Sequence, residues 1–449
     1  METEFFEKGK SAGEKFLSLV KKSGADDVVV SLSSHESSQV KFSNNRISNN
    51  MIYQSSSLSV FASFGKRIVS TSVKTFDDKA LEKSASFLAK FAKSIEPNPN
   101  YMGIADGPFK YRKDSSLFDP KVEKIGDKII DYTEKGISIA NTGRVQRVAG
   151  TAEASVERSY LLTSNGVKCA DKSTGLYFSL RALVDKNDSA HMVTVSRNLA
   201  GFDIKSCAEE AGSLANMNLP IQAISPGKYD LLFYPLPFAC LLDISASACS
   251  IFDVESGFSF FENKLGKRVA PEGFTLIDDA SQEGGFGSSL CDDEGVPSQK
   301  NVLIDRGLLK TYLHNTSTAR RYKTKTTASA GLVAPQPANV ILSPGKYSMD
   351  EMIKSIKHGI IITNIWYTRF QNYKTGEFST IPRDKALVVE NGKIKYATTG
   401  IRIADTMPNL LSRVSSVGKD SKKILGWEVE VPVETPSVLA RGINITRPN

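Results

Sequence analysis

The pattern of apolar and polar residues predicts a helix at the start of the chain, followed by strands and a second helix. Over residues 4–22 apolar side chains recur near helical spacing, and Gly24 follows as a stop signal. Residues 77–93 form a second amphipathic helix, which Asp77 or Asp78 can cap. The segments between them alternate loosely and are predicted to be strands: residues 26–32, 39–47, 55–63 and 66–73. This order predicts helices packed on an antiparallel sheet.

Residues 95–120 are rich in Pro, Asn and Gly, so we predict that they form a long surface connection. Helices are predicted beyond it over residues 121–135 and 204–216. The strands predicted between these helices are residues 138–148, 152–163, 176–186 and 190–196, with turns at Asn165-Gly166 and Asn187-Asp188. Apolar residues alternate with polar ones in these strands, which indicates that one face of the sheet is exposed to solvent.

The second half of the chain is rich in predicted strands. They are residues 229–234, 301–304, 308–313, 359–367, 385–390 and 393–401, with hairpin turns at Arg306-Gly307 and Asn391-Gly392. Pro235 and Pro237 end the first of these strands, and a helical segment of small residues follows over residues 238–249. We therefore predict an α+β fold, with antiparallel sheets and flanking helices in the N-terminal half and a β-rich C-terminal half.

The length of 449 residues predicts more than one domain. We place an N-terminal α+β domain at residues 1–220 and a C-terminal β-rich domain at residues 221–449. A further subdivision of the first domain near residues 95–120 stays open.

Composition argues against several classes of protein. The chain is 40% hydrophobic and 24% charged, and its net charge of +8 is mild for its length. Basic residues are dense only in residues 319–326, which we interpret as a solvated face or an interface rather than a nucleic-acid site. The five cysteines form no CxxC pair, which argues against a disulfide framework and a zinc knuckle.

No membrane association is expected. The acidic first residues lack the pattern of a secretory signal. The longest apolar run, residues 231–242, is shorter than the ~20 residues that a membrane span needs. We therefore expect a cytoplasmic protein.

Four segments of the second half carry a family resemblance. They are residues 238–249 (FACLLDISASAC), 259–271 (SFFENKLGKRVAP), 274–279 (FTLIDD) and 292–297 (DDEGVP). Together they resemble the TldD/PmbA family, which is also called the modulator-of-DNA-gyrase family. The resemblance extends over nearly the whole chain, and it is specific in the second half.

The resemblance implies a missing metal site. The catalytic subunit of that family carries an HExxxH motif after a Leu-Leu pair, and its two histidines and a later cysteine bind zinc. Aligning the motif on Leu241-Leu242 puts Asp243 and Ala248 at the histidine positions and Ile244 at the glutamate position. Residues 417–449 contain no cysteine. The chain therefore resembles the TldE/PmbA sister subunit, with no catalytic residue, cofactor or metal of its own.

By this resemblance, the chain is expected to be the non-catalytic subunit of a cytoplasmic metallopeptidase complex. Its partner would be a TldD-like subunit that binds zinc, and the substrate would be a peptide or an unfolded protein. A homodimer also stays open. Two alternatives remain. The chain is itself a metallopeptidase with unrecognised ligands, or it is a binding protein that acts on DNA gyrase or nucleic acid, against which the weak basic clustering argues.

The other candidate metal ligands are interpreted as structural. The four histidines, His35, His191, His314 and His358, lie in four separate segments. Carboxylates at Asp243, Asp253 and Glu255 could in principle bind Mg²⁺ or Ca²⁺, but we interpret them as solvated. Asp278, Asp279, Asp292, Asp293 and Glu294 are interpreted as parts of a structural turn.

One segment is a candidate peptide or partner surface. It comprises Trp366, Tyr367, Arg369, Phe370 and Tyr373, and aromatic residues beside Arg are typical of interfaces. The alternative is a sheet core from which one ring is exposed.

Overall fold

The computed structural model of the chain describes residues 2–185 and 188–447. The predicted turn at Asn187-Asp188 includes Asn187, which lies outside the described residues. The predicted α+β fold class is confirmed, with an antiparallel sheet flanked by helices in the N-terminal half and a strand-rich C-terminal half. Within the described ranges, no helix combines the length and the apolar character that crossing a bilayer requires.

The N-terminal half is one six-stranded antiparallel sheet in the order β3-β2-β1-β4-β5-β6. Its strands are β1 (Asp27–Ser43), β2 (Arg46–Phe64), β3 (Arg67–Val73), β4 (Arg147–Thr163), β5 (Lys168–Leu183) and β6 (Ser189–Ser196). Its helices are α1 (Glu2–Lys22), α2 (Asp78–Ala92), α3 (Pro120–Glu123), α4 (Lys128–Ala140) and α5 (Ile204–Asn216). Two three-strand meanders are joined where β1 pairs with β4.

The helices of this half pack on one face of the sheet. Val28, Val30 and Leu32 of β1 pack against α1 and α2, and Val40 and Phe42 of the same strand pack in the cluster of α4 and α5. All five are even-numbered, so they share a face of the strand. The opposite face, with Val29 and Phe61 among others, packs against residues 101–111 and the 290–291 loop.

The C-terminal half contains two further sheets. Its strands are β7 (Gly227–Phe233), β8 (Leu276–Asp279), β9 (Lys300–Asp305), β10 (Leu308–Leu309), β11 (Val340–Leu342), β12 (His358–Ile362), β13 (Ile365–Asn372), β14 (Glu377–Pro382), β15 (Ala386–Glu390), β16 (Lys393–Thr398), β17 (Arg402–Thr406), β18 (Val414–Val417), β19 (Lys422–Gly426), β20 (Val429–Thr435) and β21 (Val438–Thr446). Its helices are α6 (Pro235–Ser247), α7 (Ile251–Glu255), α8 (Thr316–Arg321), α9 (Met349–Lys354) and α10 (Met407–Ser412).

Helix α6 lies between these two sheets. The six-stranded sheet has the order β10-β9-β8-β11-β20-β19, and the nine-stranded sheet has the order β13-β14-β17-β21-β7-β12-β15-β16, with β18 paired to β21. The largest hydrophobic cluster joins α6 to strands of both sheets. By this strand order, β13 is an edge strand of the nine-stranded sheet, and β19 is an edge strand of the six-stranded sheet.

Several predicted elements were wrong in detail. Of the strand predicted over residues 138–148, residues 138–140 are the end of α4, residues 141–146 form a connection, and only the last two residues belong to β4, which begins at Arg147. The helix predicted over residues 121–135 is divided between α3 and α4. Residues 359–367 belong to two strands, β12 and β13, because the chain breaks pairing at residues 363–364. No strand was predicted after residue 401, where β17 to β21 lie.

The two halves contact each other through the 284–298 segment. The guanidinium of Arg197, after β6, donates to the carbonyl oxygens of Gly285 and Ser288 at 3.2 and 3.1 Å. The backbone N–H of Leu290 donates to Asp171 of β5 at 2.8 Å. The division into domains at residues 220 and 221 stays a prediction.

Candidate functional site

Helix α6 carries the three positions that align with the HExxxH motif, and most of its residues are buried. Pro235 occupies its first turn, where a missing N–H costs nothing. Every residue from 235 to 243 is buried. After the helix, the hydroxyl of Ser259 donates to the carbonyl oxygen of Ala248 at 2.6 Å. The helix is thus held at both ends in a fixed position between the sheets.

The carboxylate of Asp243 is bonded to the backbone of β20. Its Oδ2 accepts the backbone N–H of Glu430 at 2.7 Å and that of Val431 at 3.3 Å. Burial raises the pKa of Asp243 to about 6, although both N–H bonds favour the charged form. Asp243 therefore connects α6 to the strand beside it.

Ile244 and Ala248 share a cavity with Asp243. The cavity has a volume of about 470 Å³, and we call it the α6 cavity. Its remaining lining residues are Cys240, Ser247, Asp253, Phe258, Phe260, Thr368, Arg369, Phe370, Tyr373, Trp427, Glu428 and Glu430. The side chain of Ile244 also packs against the hydrophobic core. All three motif positions therefore face one space, as they would around a metal.

The residues at these positions do not fit zinc. Zinc in proteins is held by several His, Cys or carboxylate donors. Ile244 and Ala248 have no donor atom, and the Asp243 carboxylate is already bonded to two N–H groups. Within residues 2–185 and 188–447, no three His, Cys, Asp or Glu side chains are arranged to hold a metal ion.

A bulge in β13 forms one wall of the α6 cavity. The register of β13 with β14 shifts between Trp366 and Arg369, and Tyr367 has a φ of +64°. The N–H groups of Tyr367 and Thr368 both donate to the carboxylate of Glu428, at 2.6 and 3.0 Å. Since Glu428 lies in the turn between β19 and β20, it joins the edges of the two sheets.

Glu428 and its neighbour Trp427 were missed by the sequence analysis. Trp427 is 89% exposed and lines the α6 cavity at the tip of this turn. A tryptophan between two strand-like segments, in the run Ile-Leu-Gly-Trp-Glu-Val, is the feature that could have indicated it, because tryptophan is enriched at interfaces.

The segment proposed as a surface is largely exposed. Trp366, Tyr367 and Tyr373 are 38%, 51% and 52% exposed. Arg369 lies over the ring of Tyr367 at 4.4 Å, while Phe370 is half-buried and stacks on Tyr373 at 5.1 Å. More than one ring of the segment is therefore exposed to solvent, and its role in binding stays a prediction.

A second cavity continues the first. Its volume is about 370 Å³, and it shares Cys240, Trp427 and Glu428 with the α6 cavity. Trp366 lines it, and the guanidinium of Arg383 lies 3.7 Å from the centre of that ring. Because they share these residues, we treat the two cavities as one continuous depression along β13 and call it the groove.

None of the four histidines lines the α6 cavity. His191 lines the second cavity, where its Nε2 lies 2.8 Å from the hydroxyl of Ser179, and burial lowers its pKa to about 4. Burial also lowers the pKa of His314 to about 4. His358 packs on the ring of Tyr229, and the hydrogen bond to Glu157 raises the pKa of His35.

The candidate carboxylates lie at different places in the structure and have different hydrogen-bond partners. Asp253 lies with Asp243 in the α6 cavity, whereas Glu255 pairs with Arg321. Asp292 accepts the backbone N–H groups of its own loop at Glu294 and Val296, which is typical of a turn. Asp278 accepts the N–H groups of residues 338 and 339. Three carboxylates remain: Asp279 accepts the backbone N–H of Ser281, buried Glu294 accepts that of Thr316, and the side chain of Asp293 is exposed.

Two family models match most of the chain. The PmbA/TldA metallopeptidase central domain matches residues 118–219, and the C-terminal domain matches residues 226–447. Metalloprotease MJ0996 of Methanocaldococcus jannaschii is 32% identical over 230 residues, which are 49% of this chain and 50% of that protein. The matched region thus spans about half the length of this relative.

Two further relatives match over greater lengths. A metalloprotease PmbA homolog of Haemophilus influenzae is 23% identical over 384 residues, which are 81% of each chain. The crystal structure of TldE from Thermococcus kodakarensis superposes with a TM-score of 0.86 at 21% identity, covering 97% of this chain and 100% of that one. At this identity the superposition establishes the shared fold.

Proposed function

The chain belongs to the PmbA/TldD metallopeptidase family, and from this premise we propose that it is the non-catalytic, TldE-like subunit of a peptidase. In this role it binds peptide or unfolded protein in the groove and leaves hydrolysis to a TldD-like partner. The partner carries the zinc, and the pair works in the cytoplasm.

The observation that carries the proposal is the bonding of Asp243. At the position aligned with the first histidine of the motif, the carboxylate of Asp243 accepts the backbone N–H groups of Glu430 and Val431. Ile244 supplies no general base, and Ala248 supplies no ligand. The catalytic position has thus become a structural connection, while the cavity beside it stays open at about 470 Å³.

The groove has features suited to an extended peptide. It runs beside β13, an edge strand, and main-chain groups of β13 on either side of the bulge, where Glu428 does not already accept the N–H groups, can form hydrogen bonds with an added strand. The exposed rings of Trp366, Tyr373 and Trp427 supply apolar contacts that do not depend on one peptide sequence. Main-chain bonding and aromatic contacts together favour broad specificity.

The test combines metal content with activity. We would purify the full chain without chelator, measure zinc by elemental mass spectrometry, and assay hydrolysis of a fluorogenic peptide with and without a TldD-like chain that carries HExxxH. We expect far less than one zinc per chain, no hydrolysis alone, and hydrolysis by the mixture.

The control is the mixture made with a TldD-like chain whose motif glutamate is changed to glutamine, which should be inactive. Near one zinc per chain, with hydrolysis that a chelator abolishes in the absence of a partner, would instead identify a self-standing metallopeptidase. Binding of duplex DNA that weakens steeply with salt would favour the nucleic-acid alternative.

A further inference from the structure

The α6 cavity combines exposed aromatic rings with carboxylates. Phe258, Tyr373 and Trp427 are 57%, 52% and 89% exposed, and the rings of Phe258 and Tyr373 meet edge to face at 6.0 Å. Aromatic rings left in water at the mouth of a cavity lose the free energy that burial would give them. Their faces attract cations, because the quadrupole of the ring is negative there.

Four carboxylates line the same space. Asp243 and Glu428 are bonded to backbone N–H groups, as described above. Asp253 is half-buried and Glu430 is exposed, and among the described residues neither forms an ion pair. Burial raises the pKa of Asp253, which indicates that water stabilises its charge less than in a free side chain. These two carboxylates are the ones that a ligand can reach.

The one basic residue among those lining the cavity does not neutralise them. Arg369 donates from Nη1 to the carbonyl oxygen of Thr368 at 2.7 Å, and its guanidinium lies over the ring of Tyr367. It is thereby held at the edge of β13. An apolar group in the cavity would displace water from the carboxylates of Asp253 and Glu430 without supplying a hydrogen bond or a charge in its place, which costs free energy. A cation would displace the same water but form ion pairs with these carboxylates.

We propose that the α6 cavity binds the cationic side chain of a lysine or arginine in the bound peptide, between the rings of Phe258, Tyr373 and Trp427 and the carboxylates of Asp253 and Glu430. This inference rests on the proposed function, because it requires that peptide enters the groove. It adds a preference for basic substrates to the main-chain binding along β13.

Peptide binding in the groove can be measured by tryptophan fluorescence. The chain has two, Trp366 and Trp427, and both line the groove, so the tryptophan emission of the full chain reports on it without a label. We would titrate the chain with three pentapeptides that differ at the central residue: lysine, norleucine and glutamate. Acetylated and amidated ends leave the central side chain as the sole charge.

We expect the lysine peptide to bind about tenfold more tightly than the norleucine peptide, because a cation–π contact and an ion pair add to the same main-chain contacts. Salt at about 0.5 M should weaken binding of the lysine peptide alone. The double variant Asp253→Asn and Glu430→Gln keeps the side-chain shapes and the three rings but removes the ion pairs, so it should lose most of the lysine preference and its dependence on salt. Glu272→Gln, an exposed carboxylate outside the cavity, is the matched control and should keep the preference.

Different results would contradict the cation site and the proposed peptide binding. Equal binding of the three peptides, or tighter binding of norleucine, would overturn the cation site and leave peptide binding intact. A preference for lysine that is undiminished in the double variant would also overturn it. If no peptide changes the emission, with or without a TldD-like chain, peptide binding itself is wrong. Circular dichroism of each variant shows that the fold is retained.

Discussion

The carboxylate of Asp243 accepts the backbone N–H of Glu430 at 2.7 Å, although the two residues are 187 positions apart. This bond joins the central helix of the C-terminal half to β20 at the position where the family resemblance implies a metal ligand. It gives the aspartate a structural role.

Replacing Asp243 should therefore destabilise the protein. Asp243→Ala removes the buried acceptor of the N–H groups of Glu430 and Val431, and we expect a loss of about 1–3 kcal/mol in the free energy of unfolding. Asp243→Asn keeps an oxygen acceptor and should lose less. Urea unfolding followed by circular dichroism measures both. Asp253→Asn in the same cavity is the control, and an equal effect of Asp243→Ala and Asp253→Asn would contradict the prediction.

Glu428 should control the bulge in β13. In Glu428→Ala the N–H groups of Tyr367 and Thr368 lose their acceptor, so we expect their hydrogen exchange to accelerate by about tenfold or more. Exchange in the peptide that covers residues 365–372 can be followed by mass spectrometry. Glu430→Gln, whose side chain is exposed, is the matched control. Unchanged exchange in Glu428→Ala would show that the bulge is stable without this carboxylate.

Trp427 should matter for binding and not for stability. Its side chain is 89% exposed, so Trp427→Ala should change the free energy of unfolding by less than about 0.5 kcal/mol. The same variant should weaken peptide binding by about tenfold. Calorimetry is the suitable measurement, because the variant lacks one of the two tryptophans on which the fluorescence assay depends. Phe252→Ala removes an exposed ring outside both cavities and should leave binding unchanged. Equal losses in the two variants would argue against the groove.

Glu294 should make stability depend on pH. Burial raises its pKa from 4.5 to about 7. The folded protein then holds this proton more tightly than the unfolded chain, so the contribution to stability is present at low pH and is lost as the pH rises to about 7.

Glu294→Gln removes this titration while retaining an acceptor for the N–H of Thr316. Relative to the unchanged chain, the variant should gain about 1–3 kcal/mol of unfolding free energy between pH about 4.5 and about 7.5. Unfolding curves of both chains across this range measure the difference. Glu283→Gln, for which no comparable burial exists, is the control. A constant difference between variant and parent would contradict the raised pKa.

The periodicity of the chain determined the fold class and most strands of the N-terminal half. Long segments such as β1 and β4 leave a loose alternation, because one face of each strand packs against helices while parts of the other face are also buried. The side chains at the aligned motif positions could also be read from the sequence, since Ile244 and Ala248 have no atom that binds a metal. The strands after residue 401 left no comparable pattern, because several are short and half-buried on both faces.

Tertiary structure alone decided which residues share the groove. Asp243, Thr368 and Glu428 belong to a helix and to the edges of two different sheets, and no local pattern connects them. Their meeting depends on strand order, on the bulge that turns two N–H groups of β13 towards Glu428, and on the packing of α6 between the sheets. Residue type and spacing record local geometry, whereas contacts between distant segments are set by how whole sheets pack.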